Sequence, residues 1–496
     1  MLPQFVKTAE YYTFIGRFNT SGKIKPILLP GLSQDSFRPV RVPNFSRTAV
    51  SDIVAAPRMR HISWSERTHM DFTSAIEWLG GRDLITGPFG LHRMEFLTER
   101  LGNPQHDVPC LVIGGTNGKG SVTALLESMV AAGNAYQTGA TVSPHLVSLT
   151  ERIRIQTGRL PDEEWARGVE ALLEIVKLME REPSIGAPSF FEVVTALALW
   201  AFRETDRDLA FVEVGLGGRL DATNIIHPEA SVITNIGTDH QELLGSDRPS
   251  IAREKLGIIR PKVPLITGET DPEILRLFGD ACRDKKIPLH TVGNRQGFRL
   301  VESTPRGHRL ILDGRDAETF LPLPGEHQLK NLSIALDVIA CLRKRGFDLP
   351  ADDIAGGIES VRWPGRLQWI EGAPPVLLDG AHNEEGLVSL TSYLDAFPPK
   401  RPLHVVFGAL QKKPVSRMAA ELAKRADSLA FVAPSTPRAL TPDEFQSLIL
   451  PSDPRWVLHE HLDAALAAGT ASGTILVTGS LYLVADYLRA HSHDHV

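Results

Sequence analysis

From residue 109 onward, short apolar runs that end in glycine or polar residues alternate with longer stretches of helical period. "CLVIGG", "LAFVEVG", "ASVITNIG" and "VPLITG" read as strands, and 162–180 and 190–204 read as helices between them. That alternation predicts a parallel sheet covered by helices on both faces, hence an α/β fold. Functional residues in such a fold gather at the C-terminal ends of the strands, where Gly114, Glu213 and Asn235 stand. A second series, "PVLLDGAHN", "PLHVVFGAL", "SLAFVAP" and "TILVTGS", follows "VRWPGRLQW" at 361–369, whose Pro-Gly turn marks a domain joint. The spacing therefore predicts a larger α/β domain over 67–366 and a smaller Rossmann-like domain over 367–496. Residues 1–66 are rich in Pro, Ser and Arg, show no sustained period, and read as an irregular, disordered extension. Met70 heads "MDFTSAIEWL", the first helix-like pattern, and is a candidate start.

Bulk properties narrow the function. At 496 residues the chain is long for one core. A formal net charge of −6 lacks the basic bias of a general nucleic-acid binder, although local basic sites still allow anionic substrates. The cysteines, Cys110, Cys282 and Cys341, are far apart and odd in number, which fits a reducing cytoplasm. No apolar run reaches the ~20 residues of a membrane span. A soluble cytoplasmic protein with small-molecule partners is expected, with neither nucleic acid nor membrane among them.

Chemistry concentrates in a few stretches. In "VIGGTNGKGSVTALLESMV" (112–130), Gly114, Gly115, Gly118 and Gly120 surround Lys119 where a strand becomes a helix. Glycines permit close backbone approach, and a helix start offers unpaired N–H groups, so the turn suits a phosphate. Ser121 lies two positions after Lys119, so the general phosphate-loop pattern is not matched letter for letter. In "FVEVGLGGRLDATN", Glu213 would enter the crevice, yet a lone strand-end glutamate reads more readily as a capping carboxylate on an exposed turn. His240 of "NIGTDHQELL" suits a divalent metal or a hydrogen-bonded loop, and Lys255 suits a phosphate cluster or a solvated helix face.

Taken together and in order, "GGTNGKGS", "SPHL" with "ERI", "FFEVVTALALWAF", "EVGLGGRLDATN", "DRPSIAREKLGI", "HQLKN", "PGR" and "DGAHN" strongly resemble the folylpolyglutamate synthase and dihydrofolate synthase family of Mur-type ligases, over residues 70–496. The resemblance implies a P-loop-containing Mur-ligase-type central domain and a glutamate-ligase C-terminal domain. It implies ATP held by Thr116, Asn117, Gly118, Lys119, Gly120 and Ser121, with Asn331, Arg366, Asp379 and His382 closing over the nucleotide. Ser143, Glu213 and His240 match magnesium ligands. Lys255 matches a lysine often carbamylated in the family, where the carbamate helps place a second Mg²⁺. Lys119, Glu213, His240 and Lys255 would be the catalytic set. Ser189, Phe190, Phe191 and Glu192, with Leu220, Asp221 and Ala222, match stretches that contact the pterin substrate; Phe190 and Phe191 read equally as core, and Ser189 as a helix cap.

The implied reaction adds L-glutamate to dihydropteroate, to reduced folate, or to both, through an acyl phosphate. Folylpolyglutamate synthesis alone, a related Mur-type amino-acid ligase and a P-loop nucleotide switch are the alternatives, and a monomer is expected. "GALQKKP" at 408–414 departs from the acidic stretch common in the family, with Lys412 and Lys413 expected to alter the C-terminal surface and leave the ATP site untouched. Gly114-Gly115 replaces an Ala-Gly start, a conservative change.

Overall fold

The computed structural model describes residues 70–83, 89–449, 453, 455–469 and 472–491, together with the antiparallel strand pair Gly16–Phe18 and Ile24–Pro26. The remainder of 1–66, expected to be irregular, lies outside the described residues.

The first helix-like pattern forms Phe72–Gly80, with Asp71 accepting from the Ser74 N–H as its N-cap. The four strands expected in the first series form Cys110–Gly114, Leu209–Glu213, Ala230–Ile233 and Leu265–Thr267. They belong to an eight-stranded sheet with Cys110–Gly114 near its middle, between Leu209–Glu213 and Ala230–Ile233. Pairing is parallel from the edge strand Leu289–Thr291 through to Thr138–Thr141, then antiparallel through Ile153–Ile155 and Gly158–Arg159. Both faces are buried, as the unbroken apolar run "CLVI" requires. Cys110 and Val112 face a core with helices Asp162–Arg181 and Phe190–Glu204, while Leu111 and Ile113 face Lys119–Ala131 and Glu326–Lys344.

Helix Lys119–Ala131 is pinned from outside by Ala351–Ser360. The Ser128 hydroxyl donates to the Gly357 carbonyl at 2.7 Å, and a Cβ on Gly357 would lie 2.4 Å from Met129 Cα. Backbone cannot yield as a flexible side chain can. Gly357→Ala should therefore force the helices apart, destabilise the fold by ~1–3 kcal/mol and lower the thermal unfolding midpoint.

The four strands read in the second series form, joined by Trp456–His459 and Gln368–Ile370, which the sequence reading did not name. Val376–Asp379, Thr474–Thr478, Leu403–Phe407, Ser428–Val432 and Trp456–His459 are parallel neighbours in a six-stranded sheet, with Gln368–Ile370 added antiparallel at one edge. An antiparallel sheet of Phe298–Thr304, Gly307–Leu312 and Glu318–Leu321 has no counterpart in the sequence reading. Its strands are partly exposed and charged, so they lack the apolar signature of the buried parallel strands. Among the described residues, no helix is long and apolar enough to cross a membrane.

Candidate active site

The glycine-rich turn is built by close approach. Gly115 has φ +134°, and a Cβ there would fall on the Thr234 hydroxyl; Gly118 has φ +83°, and a Cβ there would lie 2.5 Å from Asn331 Oδ1. Only glycine gives the chain both freedoms. The next strand's end holds the turn: the Thr116 N–H donates to the Asn235 carbonyl, the Asn117 N–H to Asn235 Oδ1 at 2.9 Å, and the Thr234 hydroxyl to the Asn117 carbonyl at 2.6 Å. Lys119 opens its helix, and its Nζ donates back to the carbonyls of Gly115 and Thr116 at 3.3 and 3.2 Å. Lys255 Nζ, buried, donates to the same Gly115 carbonyl at 2.8 Å. Two ammonium groups thus bracket one loop, beside the positive end of a thirteen-residue helix.

Glu213 pairs in register with Ile113, which places its carboxylate beside this turn. It is 4% exposed, and its Oε2 accepts the Ser143 N–H at 3.2 Å. Burial pushes its carboxyl up to about 7, against the opposing pull of Lys119, the Ser143 N–H, Arg366 and Arg152. Lys255 moves the other way: burial, then repulsion from Lys119, brings it down to about 7. The Ser143 loop is itself organised by Glu151 of "ERI", whose carboxylate accepts the N–H groups of Leu146, Val147 and Ser148, each at 2.7 Å.

Residues 115–121, Ser143, Glu213, Thr234, Asn235, Lys255 and Asn331 line a single cavity of about 700 Å³. His240 lines it too, with φ 54° and its ring beside Asp239, Nε2 to Oδ2 being 3.9 Å. Burial holds the His240 ring below the ordinary imidazole range, against the pull of Asp239. Ser121 reaches the opposite wall by a relay: Gln328 Nε2 lies 3.4 Å from the Ser121 hydroxyl, and Asn331 Nδ2 donates to Gln328 Oε1 at 2.9 Å. Gly120 is covered by the Trp363 ring, 2.4 Å from where its Cβ would stand.

From the joint and the second sheet, Arg366, Asp379 and His382 enter the same cavity. Asp379 accepts the N–H groups of Leu367 and Ala381, each at 3.0 Å, so its carboxylate also shapes the turn that carries it. Burial raises its carboxyl and lowers the Arg366 guanidinium. His382 Nδ1 lies 2.9 Å from the Gly380 carbonyl, and its Nε2 faces Asp239 at 3.7 Å.

The other end of the cavity is formed by residues 189–192 and 220–222. Ser189 caps helix Phe190–Glu204 in a reciprocal box with Glu192, and the Arg93 guanidinium Nε donates to both Glu192 oxygens at 2.9 and 3.0 Å. Phe190 is 7% exposed and belongs to the core, whereas Phe191 is partly exposed and packs over Gly215. Leu220 and Ala222 flank Asp221, which accepts from the Leu216 N–H and from Thr223, and whose burial raises its carboxyl.

Some lining residues had no role assigned from the sequence. Arg152 has its cation over the Phe190 ring at 5.0 Å and donates to His145 Nδ1 at 2.8 Å; burial lowers its guanidinium to about 10. Asn383 Nδ2 donates to Asn117 Oδ1 at 3.0 Å, joining the second sheet to the phosphate-type loop. Lys413 is the instructive correction. Expected only to alter the C-terminal surface, it lines the cavity and binds Asp239 Oδ1 at 2.6 Å. Burial works to raise the Asp239 carboxyl, but hydrogen bonds from His382 and Lys413, with the Lys413 charge, hold it well below the ordinary range. Sequence reading missed the pair because its members are 174 residues apart. Lys413→Ala should loosen this bridge and raise KM for ATP by ~10-fold, the equivalent of about 1.4 kcal/mol, with a smaller change in kcat. Steady-state kinetics at fixed ionic strength checks this.

Comparison with known proteins agrees with this geometry. The Mur ligase middle domain model matches residues 166–339, and the Mur ligase glutamate ligase domain model matches 365–481. The dihydrofolate synthase/folylpolyglutamate synthase of Bacillus subtilis is 32% identical over 423 residues, covering 84% of this chain and 98% of that protein. The Mycobacterium tuberculosis folylpolyglutamate synthase complexed with ADP and AMPPCP superposes with a TM-score of 0.77 at 30% identity, over 86% of this chain and 100% of that one. Escherichia coli FolC in complex with DHPP and ADP gives a TM-score of 0.71 at 32% identity, over 85% and 97%. With a cavity built from both sheets and relatives matched along nearly their whole length, the chain belongs to the dihydrofolate synthase/folylpolyglutamate synthase family of Mur-type ligases.

Proposed function

We propose that this protein is an ATP-dependent ligase that joins L-glutamate to a pteroate-type acid, dihydropteroate, reduced folate or both, through an acyl phosphate. The observation that carries the reading is the convergence of the 115–121 turn, Glu213, Arg366 of the joint, and Asp379 and Asn383 that follow from the second sheet, on one cavity. A carboxylate is a poor electrophile, and transfer of the γ-phosphoryl group gives it a leaving group. The amine of L-glutamate then attacks the acyl carbon, and phosphate departs to leave an amide.

In this reading, backbone N–H groups from Thr116 to Ser121 cradle the triphosphate, and Lys119 swings from its own loop carbonyls to the terminal phosphate. Asn331, Arg366, Asp379 and His382 hold the nucleotide from the opposite wall. Residues 189–192 and 220–222 seat the heterocycle, with the partly exposed Phe191 as its stacking surface. Both domains, 67–366 and 367–496, shield the acyl phosphate from water.

The oxygen donors of Glu213 and Ser143, with His240 and a carbamate on Lys255, fit Mg²⁺ beside this loop, with two ions in the full set. When bound, Mg²⁺ neutralises the charge that develops on the phosphates. A Lys255 amine brought down to about 7 has the free lone pair that carbamate formation requires. The protein acts as a cytoplasmic monomer.

The test is phosphate release from ATP, run with dihydropteroate, with tetrahydrofolate and with a peptidoglycan precursor separately. A ligase requires both L-glutamate and an acceptor, whereas release that needs neither identifies a nucleotide switch. Activity with tetrahydrofolate alone assigns folylpolyglutamate synthesis only, and activity solely with a peptidoglycan precursor assigns a Mur-type peptide ligase.

A further inference from the structure

Away from the cavity, three side chains with metal-binding atoms come together. His290 lies on Leu289–Thr291, the edge strand of the eight-stranded sheet, and Asp337 and Cys341 lie one turn apart on helix Glu326–Lys344. None of the three lines the cavity. His290 Nδ1 is 3.0 Å from Asp337 Oδ2 and 3.8 Å from Cys341 Sγ, and the three ligand atoms all fall within 4.8 Å of one another.

Tetrahedral coordination sets a demanding comparison. Zinc–ligand bonds of about 2.0–2.3 Å place neighbouring donors roughly 3.3–3.6 Å apart. The observed N–O and N–S separations, 3.0 and 3.8 Å, bracket that range, and the carboxylate oxygen and the sulfur lie within 4.8 Å of each other. Cys341 is 6% exposed, while the His290 and Asp337 side chains are 29% and 15% exposed. The sulfur is thus shielded, and the side facing solvent is open to a water.

We propose that His290, Asp337 and Cys341 form a binding site for a d-block divalent cation of the zinc class, with a water as fourth ligand. Imidazole, carboxylate and thiolate together favour such an ion over Mg²⁺ or Ca²⁺, which prefer all-oxygen shells. On binding, the Cys341 thiol loses its proton to solvent and the metal takes the sulfur lone pair. The ion ties the sheet edge to the helix that presents Gln328 and Asn331 to the cavity, so its effect is on stability and not on the reacting atoms.

Cobalt(II) titration of the untagged full-length chain tests the site, because thiolate-to-cobalt charge transfer absorbs in the near ultraviolet and oxygen-ligated cobalt does not. One equivalent should develop the band, zinc should bleach it, and Cys341→Ser should abolish it. Cys110→Ser and Cys282→Ser should keep it. His290→Ala and Asp337→Asn should weaken cobalt binding by ~10-fold or more, and these two variants decide the question if Cys341→Ser fails to fold. Zinc should also raise the thermal midpoint of the wild type and leave that of Cys341→Ser unmoved, with ligase activity retained in the variant. Absence of the band, its persistence in Cys341→Ser, or unchanged affinity in His290→Ala and Asp337→Asn overturns the assignment.

Discussion

Lys119→Ala should leave a folded protein whose turnover has fallen by roughly two to three orders of magnitude, the usual loss when a preorganised donor to developing charge is removed. The fold should survive because, among the described residues, Lys119 Nζ donates only to the carbonyls of Gly115 and Thr116, and the turn keeps its Asn235 and Thr234 bonds without it. Catalysis should not survive. Lys119 opens the helix whose N-terminus meets the phosphates, and it supplies the mobile cation there. Neighbouring Lys255 cannot replace it, since it is buried and lowered to about 7. Single-turnover phosphate release, with the thermal midpoint as a fold control, decides the matter. A variant that folds normally and keeps more than a tenth of wild-type turnover would show that the triphosphate sits elsewhere.

Glu213→Gln should abolish ligation and stabilise the free protein, two effects of opposite sign from one substitution. Burial lifts the Glu213 carboxyl from an ordinary 4.5 to about 7, so the protonated form is favoured in the fold. The sign follows from linkage: its stabilising contribution is complete below pH 4.5 and is lost as pH rises through 7. At pH 8 the wild type carries a buried carboxylate, whereas the glutamine variant carries a neutral isostere. The variant should be more stable there by up to about 3 kcal/mol and indistinguishable at pH 4. Wild-type kcat/KM for ATP should fall by about tenfold for each pH unit below 7, as the carboxylate is consumed by protons. Denaturant unfolding at both pH values measures the first effect, and a pH–rate profile the second. A variant no more stable than wild type at pH 8 would mean that the carboxylate is already neutralised by Lys119 and Arg366.

Much of the fold was legible because its strands are buried on both faces. "CLVI", "LAFV" and "ILV" are unbroken apolar runs, so they stand out from the amphipathic helices around them. The antiparallel strands at 298–321 escaped notice because their exposed faces carry charge and resemble loop sequence. Site residues followed the same division. Lys119, Glu213 and Arg366 sit in motifs a few residues long. Arg93 and Lys413 acquire their places only from partners far away in the chain, and Arg152 and Asn383, although inside "ERI" and "DGAHN", show their place in the cavity only once the chain is folded.

The sequence by itself determined the alternation of strand and helix, the glycine turn around Lys119 and the strand-end position of Glu213, because each depends on backbone freedom or on a period of a few residues. Tertiary structure alone decided that Lys413 belongs in the cleft, that Asp239 is held far below its ordinary pKa, and that Glu213 and Lys255 are both drawn to about 7. Those properties come from burial and from charges brought together from distant parts of the chain, and no local pattern encodes the distance between two groups that only folding makes neighbours.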